Sequence, residues 1–213
     1  MRVGLFGGSF DPVHYGHLLL AECCREACRL HEVWFMPAAV PPHKQQHPLA
    51  DAKHRVEMLR LATAGHPAFR VSTWEIERGG ISYTVETLQR MRQELPEAEL
   101  YLLVGSDTLA DMAHWREPAT IWRLARIAVV CRSGQPLAAG AQWEELRRQV
   151  GADLFEQYPP QPVEMPLFQI SSSDIRRAVA CGRSIRYRTP RAVELYIQQH
   201  GLYQTSSGDH RVT

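Results

Sequence analysis

From its first residues the chain alternates short apolar runs with longer stretches in which apolar residues return every three or four positions. Val3, Leu5 and Phe6 predict a buried strand. Leu18 to Leu30 predicts a helix whose stripe Leu20, Cys23, Cys24, Ala27 and Leu30 lies on a sheet. Glu32 to Met36 predicts a second strand ended by Pro37, and the proline-rich stretch from Pro37 to Pro48 predicts a loop. Helical spacing resumes after Ala50 at Ala52, Val56, Leu59 and Ala62 and stops at Gly65. Alternation at Phe69, Val71, Trp74 and Ile76 predicts a strand over Phe69 to Ile76 leading into the Arg78-Gly79-Gly80 turn. Then come a helix over Thr84 to Leu95, a strand over Leu100 to Val104, a helix over Pro118 to Leu124 and a strand over Ile127 to Cys131. Gly134 to Pro162 predicts only a helix around Trp143 to Val150 and a proline-rich connection at Tyr158 to Pro162, with no function assigned. Ser171 to Ala180 predicts a capped helix closed by Gly182. A last helix has Thr189 as N-cap, Pro190 at N1, and Val193, Tyr196 and Ile197 facing in.

Strands alternating with helices imply right-handed crossovers and an α/β fold with a parallel sheet, whose ligand site lies beyond the carboxyl ends of the strands. The glycine-bearing strand ends at Gly7-Gly8 and at Gly105 fall there. A length of 213 residues at 45% hydrophobic content suits one domain over residues 1–203, with residues 204–213 expected as a disordered polar tail. A net charge of +1 gives no global attraction for nucleic acid or a membrane surface, so any anion binding must be local. No apolar run reaches the length of a membrane span, and no signal-peptide pattern precedes the first strand, so a cytoplasmic protein without nucleic-acid or membrane partners is expected. The five cysteines sit mostly within apolar patterns. Cys23 and Cys24 point about 100° apart on a helix, which suits neither zinc nor a disulfide framework.

The chemistry concentrates at Gly7-Gly8-Ser9-Phe10-Asp11-Pro12-Val13-His14-Tyr15-Gly16-His17. A strand, a glycine turn and a helix start make an anion site, since helix amides converge there and the backbone can approach a phosphate. Histidines at i and i+3 share a face, so His14 and His17 add imidazoles aimed at whatever the helix N-terminus holds. Pro41-Pro42-His43-Lys44 puts an imidazole and a cation on a stiff loop, where Lys44 reads either as a solvated surface residue or as a mobile lysine over phosphate. Ser171-Ser172-Ser173 with Arg176 one turn on reads either as helix capping or as a polyphosphate cradle. Ser82-Tyr83-Thr84 and Trp115 read equally as a cap and a core residue.

The string Ser9 to His17 resembles the (S/T)FDPxHxGH signature of the nucleotidylyltransferase superfamily, and Ser172 to Arg176 resembles its C-terminal (S/T)xxxIR-type motif. PPHK at 41–44, SYTVETL at 82–88, and GSD at 105–107 followed by Trp115 are similar to the nicotinate-nucleotide adenylyltransferases, over Arg2 to Tyr203. PPHK with SYT separates the chain from phosphopantetheine adenylyltransferases, and the missing RTxGIS-type motif separates it from enzymes acting on CTP. Class I aminoacyl-tRNA synthetases share HxGH, but this chain is too short and lacks a KMSKS-type string; a dehydrogenase would need GxGxxG.

The resemblance implies a Rossmann-like open parallel sheet with helices on both faces. It also implies a reaction: the 5′-phosphate of nicotinate mononucleotide attacks the α-phosphate of ATP, giving nicotinate adenine dinucleotide and pyrophosphate. It casts His14, His17, Lys44 and Arg176 as catalytic. Gly8, Ser9, Phe10, His17, Gly105, Asp107, Ser171, Ser172, Ser173 and Arg176 would bind ATP, and His43, Lys44, Tyr83, Thr84, Trp115 and Arg116 the mononucleotide. Mg²⁺ is expected on the ATP phosphates, with no metal site in the protein. The alternatives are a related adenylyltransferase using nicotinamide mononucleotide or another phosphate acceptor, and a nucleotide-binding protein without turnover. Two departures stand out: Ala38-Ala39 replaces an Asn or Gln common in relatives, and Arg116 replaces an aromatic residue.

Overall fold

The computed structural model describes residues 1–42, 49–132, 141–166 and 169–204. Its strands are β1 (Arg2–Gly8), β2 (Glu32–Pro37), β3 (Phe69–Val71), β4 (Glu99–Gly105), β5 (Arg126–Arg132) and β6 (Gln161–Met165). They form a six-stranded sheet in the order β3-β2-β1-β4-β5-β6, and every neighbouring pair is parallel. The strand order reverses between β1 and β4, the topological switch point at which open α/β sheets bind ligands.

The helices are α1 (Tyr15–Ala27), α2 (Ala52–Thr63), α3 (Trp74–Arg78), α4 (Thr84–Glu94), α5 (Ser106–Asp111), α6 (Pro118–Leu124), α7 (Ala141–Val150), α8 (Ala152–Gln157), α9 (Ser172–Ala180) and α10 (Arg191–Gln199). They cover both faces because β4 alternates its side chains. Leu100, Leu102 and Val104 join a core with α4, α6 and α7, while Tyr101 and Leu103 join one with α1, α2, α9 and α10. Gly4 leaves room for Leu30, since a Cβ there would lie 2.8 Å from the end of the Leu30 side chain and push it aside.

The pattern-based expectations need several corrections. Helix α1 begins at Tyr15, not Leu18, and its buried positions are Ala21 and Cys24, whereas Ala27 is exposed. The strand expected over Phe69 to Ile76 stops at Val71; Trp74 and Ile76 belong to α3, where Trp74 packs edge-on against Trp34. The proline-rich connection runs into β6, with Pro162 opposite Val129 on the sheet edge, a position where a missing N–H can be tolerated. Thr189 does not cap α10. Its buried hydroxyl donates to the Val13 carbonyl at 2.7 Å, and Pro190 takes the cap position.

Candidate active site

At the end of β1 the chain turns through Phe10, which holds a left-handed backbone (φ 48°), and buries its ring against Gly8, Phe6, Phe35 and His17. That conformation is rare outside glycine and is sustained here by packing on every side. His14 is the N-cap of α1 and His17 its third residue, with the two rings stacked at 3.7 Å. The His14 N–H donates to His17 Nδ1 at 3.3 Å, so a neutral His17 carries its proton on Nε2. His14 is 6% exposed, and burial drops its pKa to about 4. At that value the His14 imidazole is uncharged near neutral pH. The first turn of α1 holds no acidic residue, which leaves its dipole open to an anion.

The carbonyls of this loop are tied back by side chains from distant elements. Ser9 O accepts from Arg55 at 3.0 Å, Asp11 O from Arg176 at 2.6 Å, Pro12 O from Ser172 at 2.9 Å and Val13 O from Thr189. Oxygen atoms that would repel an anion are thereby occupied by donors within the protein. Arg55, 2% exposed, also donates to Ala38 O at 2.8 Å and Ala50 O at 3.0 Å, which joins the phosphate loop to the segment after β2. Burial lowers its pKa, opposed by the charge of Asp11.

At the start of α9, the Ser171 hydroxyl caps the helix, accepting from Asp174 N–H and donating to Asp174 Oδ2. Ser172 holds Pro12, as above. The hydroxyls of these two serines thus have structural work, and Ser173 with Arg176 carries what is left of the polyphosphate reading; Arg176 reaches Ser173 Oγ at 3.4 Å. Gly105 ends β4 as the N-cap of α5, and a Cβ there would meet nothing within 4 Å; Asp107 lies in the first turn of that helix.

A second group forms at α4. Tyr83 is its N-cap and Thr84 its first residue, so the N–H groups of Thr84 and Val85 have no intrahelical acceptor. Arg116 lies over the Tyr83 ring at 4.8 Å and pairs with Glu86 at 2.8 Å, while Arg78 takes the other Glu86 oxygen at 2.6 Å. Half-buried Trp115 packs on the core beside it. The two groups are stitched together through the segment after β2: Ala38 N–H donates to Gly8 O, Ala39 N–H to Ser82 Oγ, and Ser82 N–H to Val40 O. His43 and Lys44 lie outside the described residues.

The motif reading passed over Arg55, Thr189 and Tyr203. Arg55 had a signal, since it falls on the same helical face as Ala52, Val56 and Leu59, where a charge must have a buried purpose. Thr189 and Tyr203 had none, because their partners are 176 and 192 residues away.

A parallel sheet with a glycine turn, a histidine pair and an open helix N-terminus at its switch point defines an α/β protein of the nucleotide-binding class. The chain belongs to the cytidylyltransferase-like family, whose model matches residues 5–178. Within that family it is 44% identical over 204 residues to a protein named probable nicotinate-nucleotide adenylyltransferase from Thermomicrobium roseum, covering 96% of this chain and 92% of that one. A protein of the same name from Thermus thermophilus is 44% identical over 96% of this chain and its own full length. The fold matches that of the Plasmodium falciparum nicotinic acid mononucleotide adenylyltransferase complexed with NaAD, with a TM-score of 0.71, 18% identity, and 95% and 97% of the two chains covered.

Proposed function

We propose that this chain transfers the adenylyl group of ATP to nicotinate mononucleotide, releasing pyrophosphate and nicotinate adenine dinucleotide. The observation that carries the reading is the phosphate loop with its carbonyls tied back and His14 and His17 stacked at the start of α1. The attacking mononucleotide phosphate is already an anion, so no base and no protein nucleophile are needed. Catalysis reduces to holding two anions in line and countering the charge that grows on the α-phosphate and the leaving pyrophosphate. His17 through its Nε2–H, His14, the α1 amides, Arg176 and Lys44 supply that. Gly8, Ser9, Phe10, Gly105, Asp107 and the Ser171 to Ser173 segment border the ATP. Mg²⁺ arriving on the ATP phosphates neutralises their charge when bound. Among the described residues no three His, Cys, Asp or Glu side chains are grouped as a metal site.

The pyridine end goes to Tyr83, Thr84, Trp115 and Arg116, and the motif resemblance assigns His43 and Lys44 of the PPHK segment to the mononucleotide as well. A carboxylate fits the free amides at the start of α4 with two acceptors, whereas a carboxamide turns an NH₂ donor on them. Glu86 in that first turn carries two arginines, so it does not repel the acid. Mispairing costs about 1–3 kcal/mol per group, so a preference for the acid on the order of a hundredfold is expected. The test is the ratio of kcat/KM for nicotinate and nicotinamide mononucleotides at fixed ATP and salt. A ratio near one overturns the assignment of specificity to α4, and absence of pyrophosphate release with either overturns the activity.

A further inference from the structure

Asp11, in the middle of the phosphate loop, is a charged group sealed from water, its side chain only 2% exposed. Its Oδ1 accepts from the Tyr203 hydroxyl at 2.7 Å and from Ala50 N–H at 3.3 Å. Its Oδ2 has no hydrogen-bond partner among the described residues. Among the described residues the cation paired with that oxygen is Arg176, whose Nη1 stands 3.8 Å away and donates instead to the Asp11 backbone carbonyl at 2.6 Å. Arg176 thus sits between the one oxygen of a buried carboxylate that lacks a donor and the cleft where a polyphosphate would lie.

We propose that Tyr203 is a positioning residue for ATP: by holding Oδ1 it fixes the Asp11 carboxylate and shares its charge, which keeps it from drawing in Arg176, whose guanidinium then remains turned to the phosphates. A buried carboxylate short of donors takes the closest one, and a guanidinium engaged fork-to-fork with a carboxylate has spent the geometry with which it grips phosphate. Asp11 and the triphosphate compete for one cation, and a single phenolic hydrogen bond decides the competition. Burial and the adjacent carboxylate push the Tyr203 pKa up, which keeps the phenol a donor throughout the neutral range. The inference rests on the reading that Arg176 faces ATP.

Titration calorimetry of ATP into wild type and Tyr203→Phe, beside steady-state kinetics with each substrate varied, tests it. The Phe variant keeps the ring and removes one hydrogen bond to a charged group, so ATP affinity should fall about ten- to hundredfold, with KM for ATP rising in parallel. KM for the mononucleotide should hold within about twofold, since that substrate is not gripped by Arg176. Adding Asp11→Asn to Tyr203→Phe removes the competing charge and should recover most of the ATP affinity. That double variant also carries the test if the single one proves unfolded by circular dichroism. Unchanged ATP affinity in Tyr203→Phe, equal losses for both substrates, or a double variant as weak as Arg176→Ala overturns the proposal. Wild-type protein that fails to bind ATP overturns the reading of the site as well. ATP binding without turnover of nicotinate mononucleotide overturns only the proposed activity and leaves the role of Tyr203 standing.

Discussion

The two histidines of the phosphate loop share a stacked pair but not a job. His17 has its Nδ1 occupied by the His14 N–H, which fixes the tautomer that can donate from Nε2. Replacing it with alanine should lower kcat about a hundred- to a thousandfold, the usual effect of removing one donor aimed at transition-state charge, with ATP affinity far less changed. Near-normal turnover in a steady-state assay would remove His17 from the mechanism. His14 makes a prediction about stability. Its pKa is 6.5 in the unfolded chain and about 4 when folded, so between those values the unfolded state holds the extra proton and stability drops as pH falls. The loss begins near pH 6.5, levels off near pH 4, and amounts to roughly 3 kcal/mol for this group. Urea unfolding from pH 7 to pH 4 should show a shallower decline in His14→Asn than in wild type. An equal decline would mean that the ring is solvated. Both histidines were legible in the sequence, since spacing and context name them. The orphaned Oδ2 of Asp11 was not, because a buried carboxylate and a surface one are spelled with the same letter.

At the scale of elements, α2 does more than cover the sheet. Through Arg55 it holds the carbonyls of Ser9, Ala38 and Ala50, and so sets the distance between the loop after β1 and the segment after β2. Arg55→Met keeps the packed stem and strands three carbonyls, each costing about 1–3 kcal/mol less whatever water recovers. A drop of several kcal/mol in urea unfolding is expected, with weaker binding of both nucleotides, since both segments loosen together. Lysine should not rescue, for one ammonium cannot span three acceptors that a planar fork reaches. A destabilisation within about 0.5 kcal/mol, the range of an ordinary surface change, would contradict this. Legibility followed the same divide. Strands β1, β2, β4 and β5 announce themselves as apolar runs, because both faces of a parallel sheet are buried. Among the elements missed were the short helices α5 and α8, β6, whose proline disguises an edge strand, and α3, where apolar residues two apart in five positions fit a strand as well as a helix. Thr189 before Pro190 carries every mark of a cap and is used instead as a tether.

Over the whole molecule the alternation of strand and helix gave the class of fold and the edge of the sheet on which to look, because parallel strands joined by right-handed crossovers leave few choices. What no local pattern could give is which distant side chains close the loop. Ser172, Arg176, Thr189 and Tyr203 meet residues 11 to 13 across separations of 160 to 192 residues. Those tethers also order events during synthesis. At a translation rate of about 5–20 residues per second, the loop waits on the order of ten to forty seconds before the groups that shape it exist. A nascent chain therefore carries the signature string, glycines and histidines included, without a pocket for ATP. Ribosomes stalled before residue 172 should display chains blind to the nucleotide, and binding should appear only as the segment through Tyr203 clears the exit tunnel.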